Sequence, residues 1–262
     1  MTTDLDAYWR QQKIIITAAG SGIGADVMAA FLARGAQVYF CDVVAERVQA
    51  MCDKFPGLRG EVVDVADPDA VDAFIDAGVA ALGGLSILIN NAGIAGPAGP
   101  VESISTADWN RTFAVNVAAQ FYCVRRAVPA LKANGGGSIV NMASVAGKFG
   151  FPLRSPYSTS KWAVVGFTRG LSIELGPHRI RVNAILPGVV EGDRIRRVFT
   201  DRAAAKGISY DEMAAQALAS VSLGSMVTHE EIADLILHIT SPSGRNITGQ
   251  QLSICGGMEW LV

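Results

Sequence analysis

The sequence predicts an α/β fold: a doubly wound parallel sheet of about seven strands with helices on both faces. Three observations carry this. Short β-branched runs alternate with longer stretches of helical periodicity along the 262 residues. The runs are apolar throughout rather than at alternate positions, as strands covered on both faces require. A turn rich in small residues, Thr17-Ala18-Ala19-Gly20-Ser21-Gly22-Ile23-Gly24, joins the first run to the first helix.

Taken in order, Lys13 to Thr17 reads as a buried strand, and the helix over 22–34 stops at Gly35. Gln37 to Cys41 is the second strand, followed by a helix over 44–55. Glu61-Val62-Val63 is the third, after which Asp67 caps and Pro68 opens a helix to about Leu82. Ser86 to Ile89 is the fourth, and Ser105 or Thr106 opens a long helix to Ala133. Ser138 to Asn141 is the fifth. Ser155-Pro156 reads as an N-cap followed by Pro at the first helical position. Ile180 to Ile185 is the sixth, Thr228 and Glu231 form a capping box for a helix to about Ile239, and Gln251 to Ile254 closes the series. Residues 188–227 carry many charges and fit no strand-helix step, so they read as an insertion over the active site, a substrate loop or lid. No linker divides the chain, and residues 1–262 are expected to form a single domain.

Hydrophobic content of 50% provides a large core, and a net charge of −2 gives no basic footprint for nucleic acid. The polar N-terminus is not a secretory signal, and no apolar run approaches the ~20 residues needed to span a bilayer. Cys41, Cys52, Cys123 and Cys255 have no metal-ligand spacing and read as reduced structural thiols, so no metal is expected. The expectation is a soluble cytoplasmic protein acting on a small molecule, with no membrane or nucleic-acid partner.

The chemistry concentrates in a few places. Tyr157 and Lys161 are four apart, about one helical turn, so both project from one helix face just past a helix start. A neighbouring ammonium favours the phenolate and draws the Tyr toward working pH as a proton donor and acceptor for an alcohol or ketone. The glycine-rich turn lets backbone amides approach a pyrophosphate at the helix N-terminus. Asp42, closing the second strand, can accept hydrogen bonds from ribose hydroxyls and repels a 2′-phosphate. Neither Ser21 nor Val43 is basic, so NAD is favoured over NADP. Asp64-Val65 and Asn90-Asn91-Ala92-Gly93 follow the third and fourth strands, where open α/β sheets bind ligands.

Together these residues, with Asn116, Ser144 and Pro187-Gly188, resemble the short-chain dehydrogenase/reductase family in its short form, from Thr17 to about Gly257. The resemblance implies a Rossmann sheet of parallel strands assembled as a homotetramer or homodimer. It implies Tyr157 as catalytic acid/base, Ser144 orienting the substrate oxygen, Lys161 binding the nicotinamide ribose, and Asn116 in a proton relay to Lys161. It places the cofactor against Ala18, Gly20, Ser21, Gly22, Ile23, Gly24, Asp42, Val43, Asp64, Val65, Asn90, Asn91, Ala92, Gly93, Tyr157, Lys161, Pro187, Gly188 and Val190. Three positions depart from the family. Ala18 replaces the usual first Gly of the turn and is tolerable if φ stays negative. Gly192 replaces a frequent Thr, moving carboxamide contacts to backbone near Val190, and Cys255 replaces a frequent Asp.

Substrate contacts are expected at Ser144, Ala146, Arg154, Tyr157 and Arg194, since several cations near one mouth suit an anionic group. The reading favoured for the lid arginines themselves is a solvent face paired with Glu191, Asp193 and Asp201. The expected substrate is a small polar hydroxy compound: a sugar, a polyol or a hydroxy acid. A 3-oxoacyl reductase, which generally uses NADPH, and a non-catalytic nucleotide-binding relative are the competing readings.

Overall fold

The computed structural model describes residues 5–258 and 260, and at residues 194, 201, 202 and 205 only the backbone. A short helix, α1 (Leu5–Arg10), leads into β1 (Lys13–Ile16), α2 (Gly22–Leu32), β2 (Gln37–Asp42), α3 (Ala45–Lys54), β3 (Arg59–Val62) and α4 (Pro68–Leu82). Then come β4 (Ile87–Asn90), α5 (Thr106–Phe113), a π turn (Ala114–Ala118), α6 (Ala119–Ala133), β5 (Gly137–Met142) and α7 (Ser155–Leu175). The chain finishes with β6 (Ile180–Pro187), α8 (Asp193–Lys206), α9 (Tyr210–Leu218), α10 (His229–Thr240) and β7 (Gln251–Ile254).

The seven strands pair in parallel in the order β3-β2-β1-β4-β5-β6-β7. Strand order reverses between β1 and β4, which opens a crevice at their carboxyl ends. Alternate residues of each strand feed opposite faces. Ile14 and Ile16 pack with α1, α2, α3 and α10, and Ile15 packs with α4, α6 and α7. Phe31, Phe40 and Phe74 are fully buried between these layers, each contributing roughly 2–3 kcal/mol of transfer free energy.

Several elements differ from expectation for identifiable reasons. β3 begins at Arg59, two residues early, because register with β2 (Tyr39 opposite Arg59) recruits polar residues that an edge strand leaves partly exposed. The α7 cap is Arg154, not Ser155: the Ser158 amide donates to the Arg154 carbonyl at 2.9 Å, making that the first helical bond. The long helix over 106–133 contains a π turn, a register slip that apolar periodicity does not signal. Residues 188–227 hold two helices, α8 and α9, packed on one another through Phe199, Ala203, Met213 and Ala217.

Candidate active site

The crevice is built around the turn after β1. The Thr17 hydroxyl accepts the amides of Asn91 and Ala92, each at 3.0 Å. The Asn91 side-chain amide donates back to the carbonyls of Thr17 and Ala18, at 3.1 and 2.9 Å. This clamp joins the ends of β1 and β4. It holds Ala18 at φ +52°, so the expectation of a negative φ fails. A methyl in this left-handed conformation costs about 1–2 kcal/mol relative to Gly, and the four surrounding bonds enforce it. Gly22 opens α2 at φ +59°, and Ser21 makes no side-chain cap, so the first amides of α2, including Ile23, face the crevice.

Asp42 ends β2 at 4% exposure. Its carboxylate accepts the amides of Gly20 and Val44, each at 3.1 Å. A Cβ at Gly20 would lie 2.8 Å from Asp42 Oδ2, so glycine is required there. The Asp42 carboxylate keeps acceptor capacity for a ligand. Arg47, on the first turn of α3, lies 3.8 Å away and is half exposed, a cation that the residues flanking Asp42 do not disclose. Asp64 pairs with Arg111 at 3.0 Å. Burial alone would raise the Asp64 carboxyl, but the Ala66 amide and Arg111 outweigh it and hold it below the usual carboxylate range. Val65 and Ala92 are buried, and Val43 is exposed. The Asn90 side chain turns inward: it donates to Asn141 at 2.9 Å, and Asn141 donates to Thr168 at 2.9 Å. Any contact of Asn90 with a ligand therefore comes from its backbone.

The catalytic candidates meet on the other side of the crevice. Asn116 sits in the π turn, fully buried, with its Oδ1 accepting the Ile94 amide at 2.8 Å. Its Nδ2 donates to the Ile94 carbonyl and the Ser160 hydroxyl, both at 3.0 Å. Lys161 is 4% exposed, and its Nζ donates to the Met142 carbonyl at the end of β5 at 2.9 Å. Ser144 follows two residues later, extended, with its Oγ accepting the Ala146 amide at 3.2 Å. Tyr157, half-buried one turn before Lys161, presents its ring 5.7 Å from the Lys161 ammonium and 5.5 Å from the Arg154 guanidinium. Arg154 also donates to the Ala95 carbonyl at 2.9 Å, tying the loop after β4 to the start of α7. Gly93 lies against this group: a Cβ there would stand 3.3 Å from Lys161 Nζ and 3.4 Å from Asn116 Oδ1.

At the end of β6, Pro187 is buried and the Gly188 amide donates to Ile254 at 2.9 Å. A Cβ on Gly188 would lie 2.8 Å from the Cys255 backbone. Val190 bridges Val227 in parallel, and its neighbours Val189 and Glu191 take up the bonds to Val227. The peptide groups of Val190 itself therefore face away from Val227. Ala146 is 1% exposed and its carbonyl accepts Ser158, so its side chain offers no cleft surface. The Arg194 side chain lies outside the described residues. Sequence reasoning passed over the clamping roles of Thr17 and Asn91 and over Arg47; the signal for Arg47 was its place in the first turn of the helix that follows Asp42.

The arrangement holds a hydroxyl, a phenol and an ammonium beside a backbone cradle for an anion, the parts needed to move a proton at an oxygen while charge develops there. Burial pushes the Cys41 thiol up to about 12, which removes it as a nucleophile. Among the described residues no group of three His, Cys, Asp or Glu could hold a metal, and no helix is long and apolar enough to cross a membrane.

A family model described as enoyl-(acyl carrier protein) reductase matches residues 17–259. A probable galactose dehydrogenase of Rhizobium meliloti (strain 1021) is 33% identical over 254 residues, covering 95% of each chain. The structure of an NAD+-bound xylitol dehydrogenase is similar, with a TM-score of 0.88 at 28% identity, covering 94% of this chain and 98% of the other. An actinorhodin polyketide ketoreductase with NADPH gives a TM-score of 0.89 at 29% identity, covering 95% and 97%.

Proposed function

The chain belongs to the short-chain dehydrogenase/reductase family, and we propose that it is the NAD-dependent dehydrogenase of a small polar hydroxy compound: a sugar, a polyol or a hydroxy acid. It is an oxidoreductase acting on CH–OH groups with a nicotinamide cofactor. The observation that carries the reading is the placement of Tyr157 and Lys161 on one face of α7, beside the end of β5 that bears Ser144. The crevice fits the cofactor. The α2 amides suit a diphosphate, Asp42 suits the adenosine ribose, and the absent side chain of Gly93 leaves room beside Lys161.

When bound, the cofactor accepts hydride in alcohol oxidation and donates it in ketone reduction. Tyr157 Oη takes the alcohol proton in the first direction and returns it in the second. Ser144 Oγ donates a hydrogen bond to the same oxygen, where charge differs most between ground and transition states. Lys161 and Arg154 set positive charge near the Tyr157 ring and favour its phenolate. Asn116 anchors Ile94 and so fixes the strand-end loop against which substrate and cofactor must fit. Arg154, held at the mouth by Ala95, is the residue we assign to a carboxylate on the substrate.

Asp42 supports NAD, in keeping with the NAD+-bound xylitol dehydrogenase. A second reading, NADPH-dependent ketoreduction, is favoured by Arg47, which partly neutralises Asp42, and by the likeness to the polyketide ketoreductase. Half-exposed Phe121 and Trp162 on the long helices support assembly as a homotetramer or homodimer. The test follows NADH and NADPH absorbance across a panel of sugars, polyols, hydroxy acids and secondary alcohols, with a β-ketoacyl thioester run in reverse. NAD-linked oxidation of a sugar, polyol or hydroxy acid is expected. Thioester reduction with NADPH and no NAD-linked oxidation would replace this reading with the second.

A further inference from the structure

His229 is the first residue of α10, next to its Thr228 cap, with a side chain 22% exposed. Its Nδ1 lies 2.7 Å from Asp26 Oδ2, in the second turn of α2. The opposite edge of the imidazole fills the gap between two glycines. A Cβ on Gly22 would stand 4.0 Å from Cε1, and one on Gly192 would stand 3.5 Å from Nε2. Gly22 opens α2, and Gly192 is the residue before α8, at φ +130°. The imidazole therefore connects the anion-binding end of α2 to the base of the segment over the crevice. The first turn of α2 carries no charged side chain of its own.

We propose that His229 is a cofactor-binding residue whose Nε2–H donates to the diphosphate of the nicotinamide cofactor. This rests on the reading that the cofactor seats on the N-terminus of α2. Nδ1 faces a carboxylate and so carries a proton, which leaves Nε2 a donor only in the imidazolium. Glu191 before α8 and Glu230 on α10 line, with His229, a cleft of about 540 Å³. Arg196 of α8 and Tyr210 of α9 complete its wall.

Calorimetric titration with NADH and with ADP-ribose tests this. ADP-ribose keeps the diphosphate but lacks the nicotinamide. The expected result is about tenfold weaker binding of both ligands to His229→Ala, equal in the two cases. Asp26→Asn is expected to weaken both by several-fold. His229→Gln, a neutral replacement, is expected to weaken both and carries the comparison if the alanine variant does not fold. Unchanged affinities would overturn the proposal. So would a loss confined to NADH, which places the contact on the nicotinamide. A wild-type protein that binds neither ligand would end the cofactor reading itself, a separate failure from that of His229.

Discussion

The glycine-rich turn and the segment over 188–227 approach each other across His229 but are held by different means. At the turn, Thr17, Asn91 and Asp42 fix six backbone groups through directed hydrogen bonds. In the segment, α8 and α9 hold each other through an apolar seam around Phe199 and Met213, separate from the two main core layers. Directed bonds demand particular side chains at particular places. An apolar seam accepts many combinations of similar volume. The first region therefore presents a cofactor in one geometry, and the second can vary with substrate while leaving the sheet untouched.

Substitutions can break or sharpen this contrast. Lys161→Ala, on the rigid side, is expected to lower kcat by about 10³-fold, measured by steady-state kinetics once a substrate is found. Phe199→Ala removes the largest side chain of the seam and should cost roughly 3 kcal/mol, but locally. Hydrogen exchange over 193–218 should accelerate while β1, β4 and β5 keep their protection. Equal acceleration in the strands would show that the seam belongs to the global core. Asp42→Ala should reduce the ratio of kcat/KM with NAD to that with NADP by about tenfold or more, since the carboxylate both binds the ribose and repels the 2′-phosphate. An unchanged ratio would shift cofactor choice to Arg47. Ala18→Gly relieves the left-handed methyl and should raise stability by about 1 kcal/mol, read as a higher midpoint in urea. A lower midpoint would mean that the clamp around Ala18 relies on its side chain.

This contrast also governs what could be read from sequence. Strand runs such as Ile14 to Ile16 and Ile87 to Ile89 were legible because burial on both faces forces unbroken apolar residues. The capping box at Thr228 and Glu231 was legible because it is a local pairing. The positive φ of Ala18 was not, since it is imposed by Asn91 from a strand far along the chain. Nor was the π turn at Asn116, because the extra residue leaves the apolar pattern on both sides intact. Tyr157 and Lys161 were placed on one face by their spacing alone, whereas the approach of Arg154 to the same ring depends on where α7 begins. The two helices within 188–227 escaped although α8 carries a stripe of Ile195, Val198, Phe199 and Ala203 and α9 opens with a Ser209–Glu212 capping box, because the many charges around that narrow stripe mask its period.

The most direct test of the account is Tyr157→Phe, assayed together for turnover and for NADH affinity by calorimetry. The account predicts a loss of turnover of about 10²–10⁴-fold with NADH affinity within about twofold of wild type, because the phenol moves a proton while the glycine turn and Asp42 hold the cofactor. Turnover near the wild-type level with the cofactor still bound would contradict it and assign the proton transfer to another group.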